Sequence, residues 1–202
     1  RLQDRGIIPH VRIFVDSPLS VNVTEIFKLH PECFDQETNR MMALHDDPFG
    51  WKDVTYIKDV EESKGLNRMD QPCIIISASG MCESGRILHH LKNNIEDPNN
   101  TIMVVGFMAQ NTLGRRIVER RKKIKIFGEE YPLKARVEVF DAFSAHADRS
   151  GLLEYVENTK DSLEGIFVVH GEEEQSQALA EGIRSLGIQN VMIPSFEDEV
   201  EI

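Results

Sequence analysis

Apolar and polar positions alternate in blocks along the chain, and the blocks predict strands and helices in turn. VRIFVD at 11–16 is an apolar run ending in Asp-Ser-Pro, which predicts a buried strand and a turn. Val21, Val23, Ile26, Phe27 and Leu29 then recur at helical spacing over 20–30, and a second helix is expected over about 35–45. The stretch 46–70, with Trp51 and Tyr56 in it, is polar and reads as a long connection able to act as a lid. CIIIS at 73–77 is a second apolar strand; Ser79-Gly80 then opens a helix through Ile87, Leu88, Leu91 and Ile95. TIMVVGF at 101–107 predicts a third strand and 112–122 a third helix. Strands alternating with helices predict an α/β fold with a doubly wound, mostly parallel sheet.

The pattern changes near residue 124. IKIF, a turn at Gly128 and YPLKARVEVF predict an antiparallel pair. A loop (SAHAD, 144–148), a helix over about 150–158, a strand (GIFVVH, 165–170), a helix over about 173–186 and a last strand (NVMIP, 190–194) follow. This part reads as a second unit, too short to bury a core of its own.

Composition narrows the classes. With 202 residues, 41% hydrophobic and 28% charged, the chain is an ordinary globular one and not a disordered one. Its apolar runs fall short of the ~20 residues that cross a bilayer, so no membrane span is expected. The chain opens on Arg-Leu-Gln-Asp-Arg-Gly, which reads like the end of a helix, and a piece of a longer protein is expected. Net charge is −11, against a general polyanion binder but compatible with a local basic groove. The three cysteines form no Cys-x-x-Cys pair, which fits a reducing compartment, and a cytoplasmic protein is expected.

Seven histidines invite a search for metal ligands, yet His-x-His and His-Glu-x-x-His are absent. His89 and His90 are adjacent on a helix and point about 100° apart, so they cannot share an ion; a surface position or a satisfied imidazole accounts for them. His10, His30 and His45 stand in terminal or loop-like stretches. His170 ends an apolar strand before Gly171, and His146 sits in Ser-Ala-His-Ala-Asp just after another; sites form beyond the carboxyl ends of such strands. Plain packing competes with that reading for both. ISASGMCESGR at 76–86 is a strand, a small-residue turn and a helix start, a place where backbone N–H groups suit a phosphate; it has neither a P-loop nor a dinucleotide fingerprint. The run from Arg115 to Lys125 is the densest in cations, either a solvated face or the wall of a polyanion channel.

Taken together, ASGMCESGRILHHL (78–91), GFMAQNTLGRR (106–116), KIFGEEYPLKARVEV (125–139), FSAHAD (143–148), VVHGE (168–172) and FVDSPL (14–19) resemble the β-CASP group of metallo-β-lactamase-fold nucleases. The resemblance runs over nearly the whole chain, in order. It implies that residues 1–135 form most of a β-CASP insert and 136–202 the return into the metallo-β-lactamase fold. It implies that His146 lies beside the scissile phosphate as a proton donor or oxyanion stabiliser. Asp148 would orient the loop or the imidazole, with a helix N-cap the competing role. By the same resemblance His170 is a zinc ligand, and Ser79, Gly80, Ser144 and Arg115 lie near the RNA backbone.

The resemblance further implies two zinc ions holding the hydroxide that attacks the phosphodiester. The family's His-x-His-x-Asp-His motif is not in these residues, and one ligand cannot hold a zinc that takes three or four. The expectation is thus the RNA-binding, site-completing part of a zinc-dependent ribonuclease, inactive by itself. Single-stranded RNA, the N-terminal metallo-β-lactamase half and a second copy in a homodimer are the expected partners. A non-catalytic RNA-binding or scaffold subunit, or a DNA nuclease of the same group, is the alternative.

Overall fold

The computed structural model describes residues 3, 5–44, 49, 54–140, 142 and 146–200. They form a mixed α/β protein in two compact units, one up to Ser144 and one from Ala145.

The first unit is built on three parallel strands, β1 (Arg12–Asp16), β2 (Val54–Tyr56) and β3 (Cys73–Ser77), in the order β2-β1-β3. Asp16 lies opposite Ser77, so the carboxyl ends of β1 and β3 are neighbours. Helix α1 (Pro18–Lys28) starts directly after β1: Ser17 caps it by accepting from the Ser20 amide, and Pro18 occupies the first turn where no N–H is needed. The Asp-Ser-Pro turn of the sequence reading is therefore a helix start. Helix α2 (Gln36–Ala43) follows, capped by Asp35.

The connection expected over 46–70 is in part regular. It contains β2 and α3 (Val60–Leu66), the latter capped by the Asp59 carboxylate on the amides of Glu61 and Glu62. Three residues of Val-Thr-Tyr carry no readable period; their pairing with Ile13–Val15 makes them a strand. Trp51 lies outside the described residues. Phe14, Ile57 and Leu66 form the small core between this sheet and α3.

Helix α4 (Ile87–Asn94) begins only after a loop over 79–86, later than its pattern suggests. Its Leu91 and the following Ile95 pack with Leu113, Ile117, Ile124, Ile126 and Val137 in the largest core of the unit. Ile95, Ile117, Ile124 and Ile126 are fully buried, each stabilising by about 1.5–3 kcal/mol on burial. Strand β4 (Thr101–Val104) leads to α5 (Leu113–Val118), shorter than expected because Arg120 at φ 53° turns the chain into β5.

Strand β5 (Lys123–Ile126) pairs antiparallel with β6 (Glu129–Pro132) as expected. The rest of the predicted antiparallel run does not. Arg136–Val139 is a separate strand, β7, parallel to β4, because Lys134 and Ala135 leave the hairpin to donate to the Ile95 carbonyl at 3.0 and 2.9 Å.

The second unit contains α6 (Arg149–Thr159), β8 (Ile166–Phe167), α7 (Glu173–Ser185) and β9 (Val191–Met192), with β8 and β9 parallel. It does bury a core of its own, against the sequence expectation. Val168, Ala180, Ile183 and Val191 are its buried centre, with Leu153, Val156 and Ile188 packed around them. The apolar stripe of α7 supplies enough area to close over two very short strands.

Candidate functional site

The sequence-predicted residues fall into two groups, one in each unit. In the first unit, β3 ends at Ser77, whose hydroxyl donates to the Asp16 carbonyl at 2.9 Å and ties the two strand ends together. Beyond it Ser79 and Gly80 open the loop. The Ala78–Ser79 peptide bond is cis. The Ser79 amide donates to the Ser84 carbonyl at 3.1 Å, and its hydroxyl accepts from the Ser84 amide at 3.4 Å, closing the loop on itself. A side chain added at Gly80 would meet open space, so packing does not require the glycine. Gly85 differs: at φ +83° a Cβ would stand 2.6 Å from the Ala78 carbonyl oxygen, so only glycine lets the loop close.

The far side of this loop is held by α5. The Glu83 carboxylate accepts from the Leu113 amide, and the Gly114 amide donates to the Met81 carbonyl at 3.0 Å. Arg115, on α5, donates from Nε to the Glu119 carboxylate at 3.0 Å across one helical turn. Its hydrogen bond, with that of Arg121, holds the Glu119 carboxyl below its ordinary range. Cys82 is buried in the loop at φ 57°, and burial pushes its thiol up to about 11, which makes it an inert thiol at neutral pH.

A buried ionic network lies beneath the loop and was not foreseen from the sequence. Asp16, at the end of β1, is fully buried. Its carboxylate accepts from Arg86 Nη1 at 2.5 Å, Ser63 Oγ at 2.5 Å and His90 Nε2 at 2.7 Å. Burial drives the Asp16 carboxyl up, but the Ser63, His90 and Arg86 hydrogen bonds outweigh it and the group titrates below the usual range. Arg86 also donates to the carbonyls of Ile57 and Lys58 at 3.2 and 2.8 Å. His90 Nδ1 meets Asn67 Oδ1 at 2.9 Å, and Asn94 donates to the same oxygen at 3.1 Å. The network thus ties β1, α3 and α4 together under the 78–86 loop. The readable signal was an Asp at the end of an apolar strand and an Arg and His four apart on one helix face.

In the second unit, His146 is exposed, three residues before the start of α6. Asp148 is the N-cap of that helix, accepting from the Gly151 amide at 2.9 Å and the Ser150 hydroxyl at 2.6 Å. Those bonds, the Ser150 hydroxyl foremost, hold its carboxyl below the ordinary value. Ser144 lies outside the described residues. His170 stands just beyond the carboxyl end of β8, exposed, with a left-handed φ of 63°. Gly171 follows in tight contact: a Cβ there would land on the buried Ser176 hydroxyl of α7. The expected strand to residue 170 is short in its ladder, but the Val168 amide still donates to the Met192 carbonyl at 2.9 Å.

The donor set for a metal is incomplete. Among the described residues no three of His, Cys, Asp and Glu come together as an ion site, and His170 alone does not fit a zinc that takes three or four ligands. Among the same residues no helix is long and apolar enough to cross a membrane.

A parallel α/β unit with small residues at its strand ends, followed by a compact unit with a histidine at a strand end, matches a known pair of domains. The chain belongs to the β-CASP family of nucleases: the Beta-Casp domain matches residues 1–117, and the Zn-dependent metallo-hydrolase RNA specificity domain matches 130–194. It is 33% identical over 195 residues to Ribonuclease TTHA0252 of Thermus thermophilus, covering 96% of this chain and 44% of that protein. It is 30% identical over 200 residues to the transcription termination factor FttA of Methanosarcina mazei, covering 96% of this chain and 31% of that protein. An RNase J-like protein of Methanocaldococcus jannaschii is 33% identical over 175 residues, 87% of this chain and 39% of its own length. The chain therefore spans less than half the length of these relatives.

Proposed function

We propose that these residues are the RNA-binding and site-completing part of a longer zinc-dependent ribonuclease. The observation that carries this reading is the similarity along 96% of the chain to a protein named a ribonuclease. The geometry adds support. Ser79 and Gly80 project from the adjoining carboxyl ends of β1 and β3, where open α/β sheets bind ligands. In the reading, Gly80 leaves room for a phosphate to approach the backbone, and the Arg115 guanidinium turns from Glu119 toward that phosphate. Ser144 serves the same strand of RNA.

His146 is the proposed proton donor to the leaving oxygen, a role suited to an imidazole. Asp148 acts through the α6 cap, holding the loop that carries His146. His170 is proposed as one zinc ligand, in a site that the described residues do not complete. The strand order β2-β1-β3 reverses direction between connections. Right-handed crossovers would then put α1 and α2 on one face and α3 on the other, which supports a doubly wound sheet. The division into 1–135 and 136–202 belongs to the same proposal. So do a cytoplasmic setting and a homodimer formed through the exposed Phe167, Val169 and Met192.

Fluorescence anisotropy with a labelled single-stranded RNA, with gel analysis of the same RNA and zinc measurement by mass spectrometry, tests the reading. The chain should bind RNA in a salt-dependent way, cleave none and hold less than one zinc. Gly80→Asp should weaken binding without lowering stability, because its side chain enters open space. Two tightly bound zinc ions per chain, or RNA binding indifferent to Gly80→Asp, would overturn it.

A further inference from the structure

A cavity of about 540 Å³ opens in the first unit between α3, α4 and the turn joining β5 to β6. Its size falls in the range of small-molecule sites. None of its lining residues is acidic, whereas Lys64, Arg68 and Arg86 all reach it. That is a concentration of cations in a chain whose net charge is −11. Arg86 is committed to Asp16 and two carbonyls. Lys64 pairs with Glu61 at 2.6 Å, both more than half exposed, an arrangement that holds a lysine weakly. The Arg68 guanidinium has no hydrogen-bond or ion-pair partner among the described residues, so a bound anion would meet an uncommitted fork of donors.

The rim carries an aromatic ring in an unusual backbone setting. Phe127 and Gly128, the two central residues of the β5–β6 turn, have φ of 49° and 86°. Such a turn favours Asn-Gly, and a bulky residue in the left-handed region is disfavoured. Phe127 is nonetheless 53% exposed, and its ring centroid lies 4.9 Å from that of His89, the planes tilted by 41°. A side chain that costs the turn stability, gains little burial and faces a cationic cavity points to a ligand.

We propose that this cavity holds one nucleotide, its base against Phe127 and His89 and its phosphate between Lys64 and Arg68. Planar base and phosphate together match an aromatic rim and an uncommitted guanidinium; neither alone uses both. The nucleotide is either free or one unit of an RNA strand. The site uses none of Ser79, Gly80, His146 or His170, so it stands or falls separately from the hydrolase reading.

The test is an amide NMR titration of the whole chain with AMP, with inorganic phosphate and with hexa-adenylate. AMP should saturate, shift the amides of α3, α4 and the Phe127 turn, and bind at least tenfold tighter than phosphate. Phe127→Asn supplies the residue that the turn favours, so melting temperature should hold or rise. AMP affinity should fall about 5- to 150-fold, the range for stacking one base on one aromatic side chain, with phosphate affinity unchanged. Arg68→Glu should weaken AMP and phosphate alike. Displacement of AMP by hexa-adenylate assigns the site to an RNA strand; AMP undisturbed by it assigns a free nucleotide; both support the site. AMP shifts that lie elsewhere, or AMP binding indifferent to both variants, would overturn it. Loss of RNA binding in Gly80→Asp with AMP binding intact would separate the two sites.

Discussion

Replacing Asp16 by Ala should be among the most damaging single changes in the first unit. The carboxylate is fully buried and takes three side-chain donors, from Arg86, Ser63 and His90. Removing it leaves the Arg86 side chain, 17% exposed, with carbonyl partners only. It also strands the Ser63 hydroxyl and one nitrogen of His90. Breaking a buried pair from one side costs about 3–5 kcal/mol, a fifth or more of the roughly 5–15 kcal/mol that holds a domain together. In a chain of this size the melting temperature should drop by roughly 6–20 °C. Ser63→Ala, which removes one donor, should cost only about 1 kcal/mol. Urea unfolding followed by circular dichroism measures both, and a double-mutant cycle of Asp16→Asn with Arg86→Met should give a coupling of about 0.5–3 kcal/mol. The pH dependence has a definite sign. The folded carboxyl titrates below its ordinary 3.8, so its contribution is complete above that value and is lost as pH falls through the folded one. Asp16→Ala should flatten that acid limb. A cost under about 1 kcal/mol, or an unchanged acid limb, would refute the view that this network fixes α4 and the 78–86 loop to the strand ends.

Two further predictions concern the second unit. Gly171→Ala drives a Cβ onto the buried Ser176 hydroxyl and should cost about 1–3 kcal/mol as overpacking. Adding Ser176→Ala should recover most of that loss in thermal unfolding, and no recovery would mean the clash is relieved elsewhere. Asp148→Ala removes the cap that holds the Gly151 amide and should lower the stability of the second unit. Because that carboxyl also titrates below its ordinary value, the loss should be full above that value and shrink as pH falls, as read by denaturation at several pH values.

Where a segment carried its own period or cap, the sequence alone was enough. The apolar runs 12–16 and 73–77 are strands, the stripe of α7 is a helix, and six motifs along the chain carry the family resemblance by themselves. The small residues at 79–80 and the histidine at 170 were legible as strand-end positions because chain direction alone puts them there. Three features depended on tertiary structure. Val54–Tyr56 is a strand because β1 offers a free edge, not because of its own composition. Arg136–Val139 left the hairpin for β4 because Lys134 and Ala135 found the Ile95 carbonyl. Asp16, Ser63, Arg86 and His90 are up to 74 positions apart in the chain, and the four-residue spacing of Arg86 and His90 does not by itself name the Asp16 carboxylate as their partner. Only the crossing of β1 with α3 and α4 makes them one network, since a buried charge is tolerable only where the fold brings its partners to it.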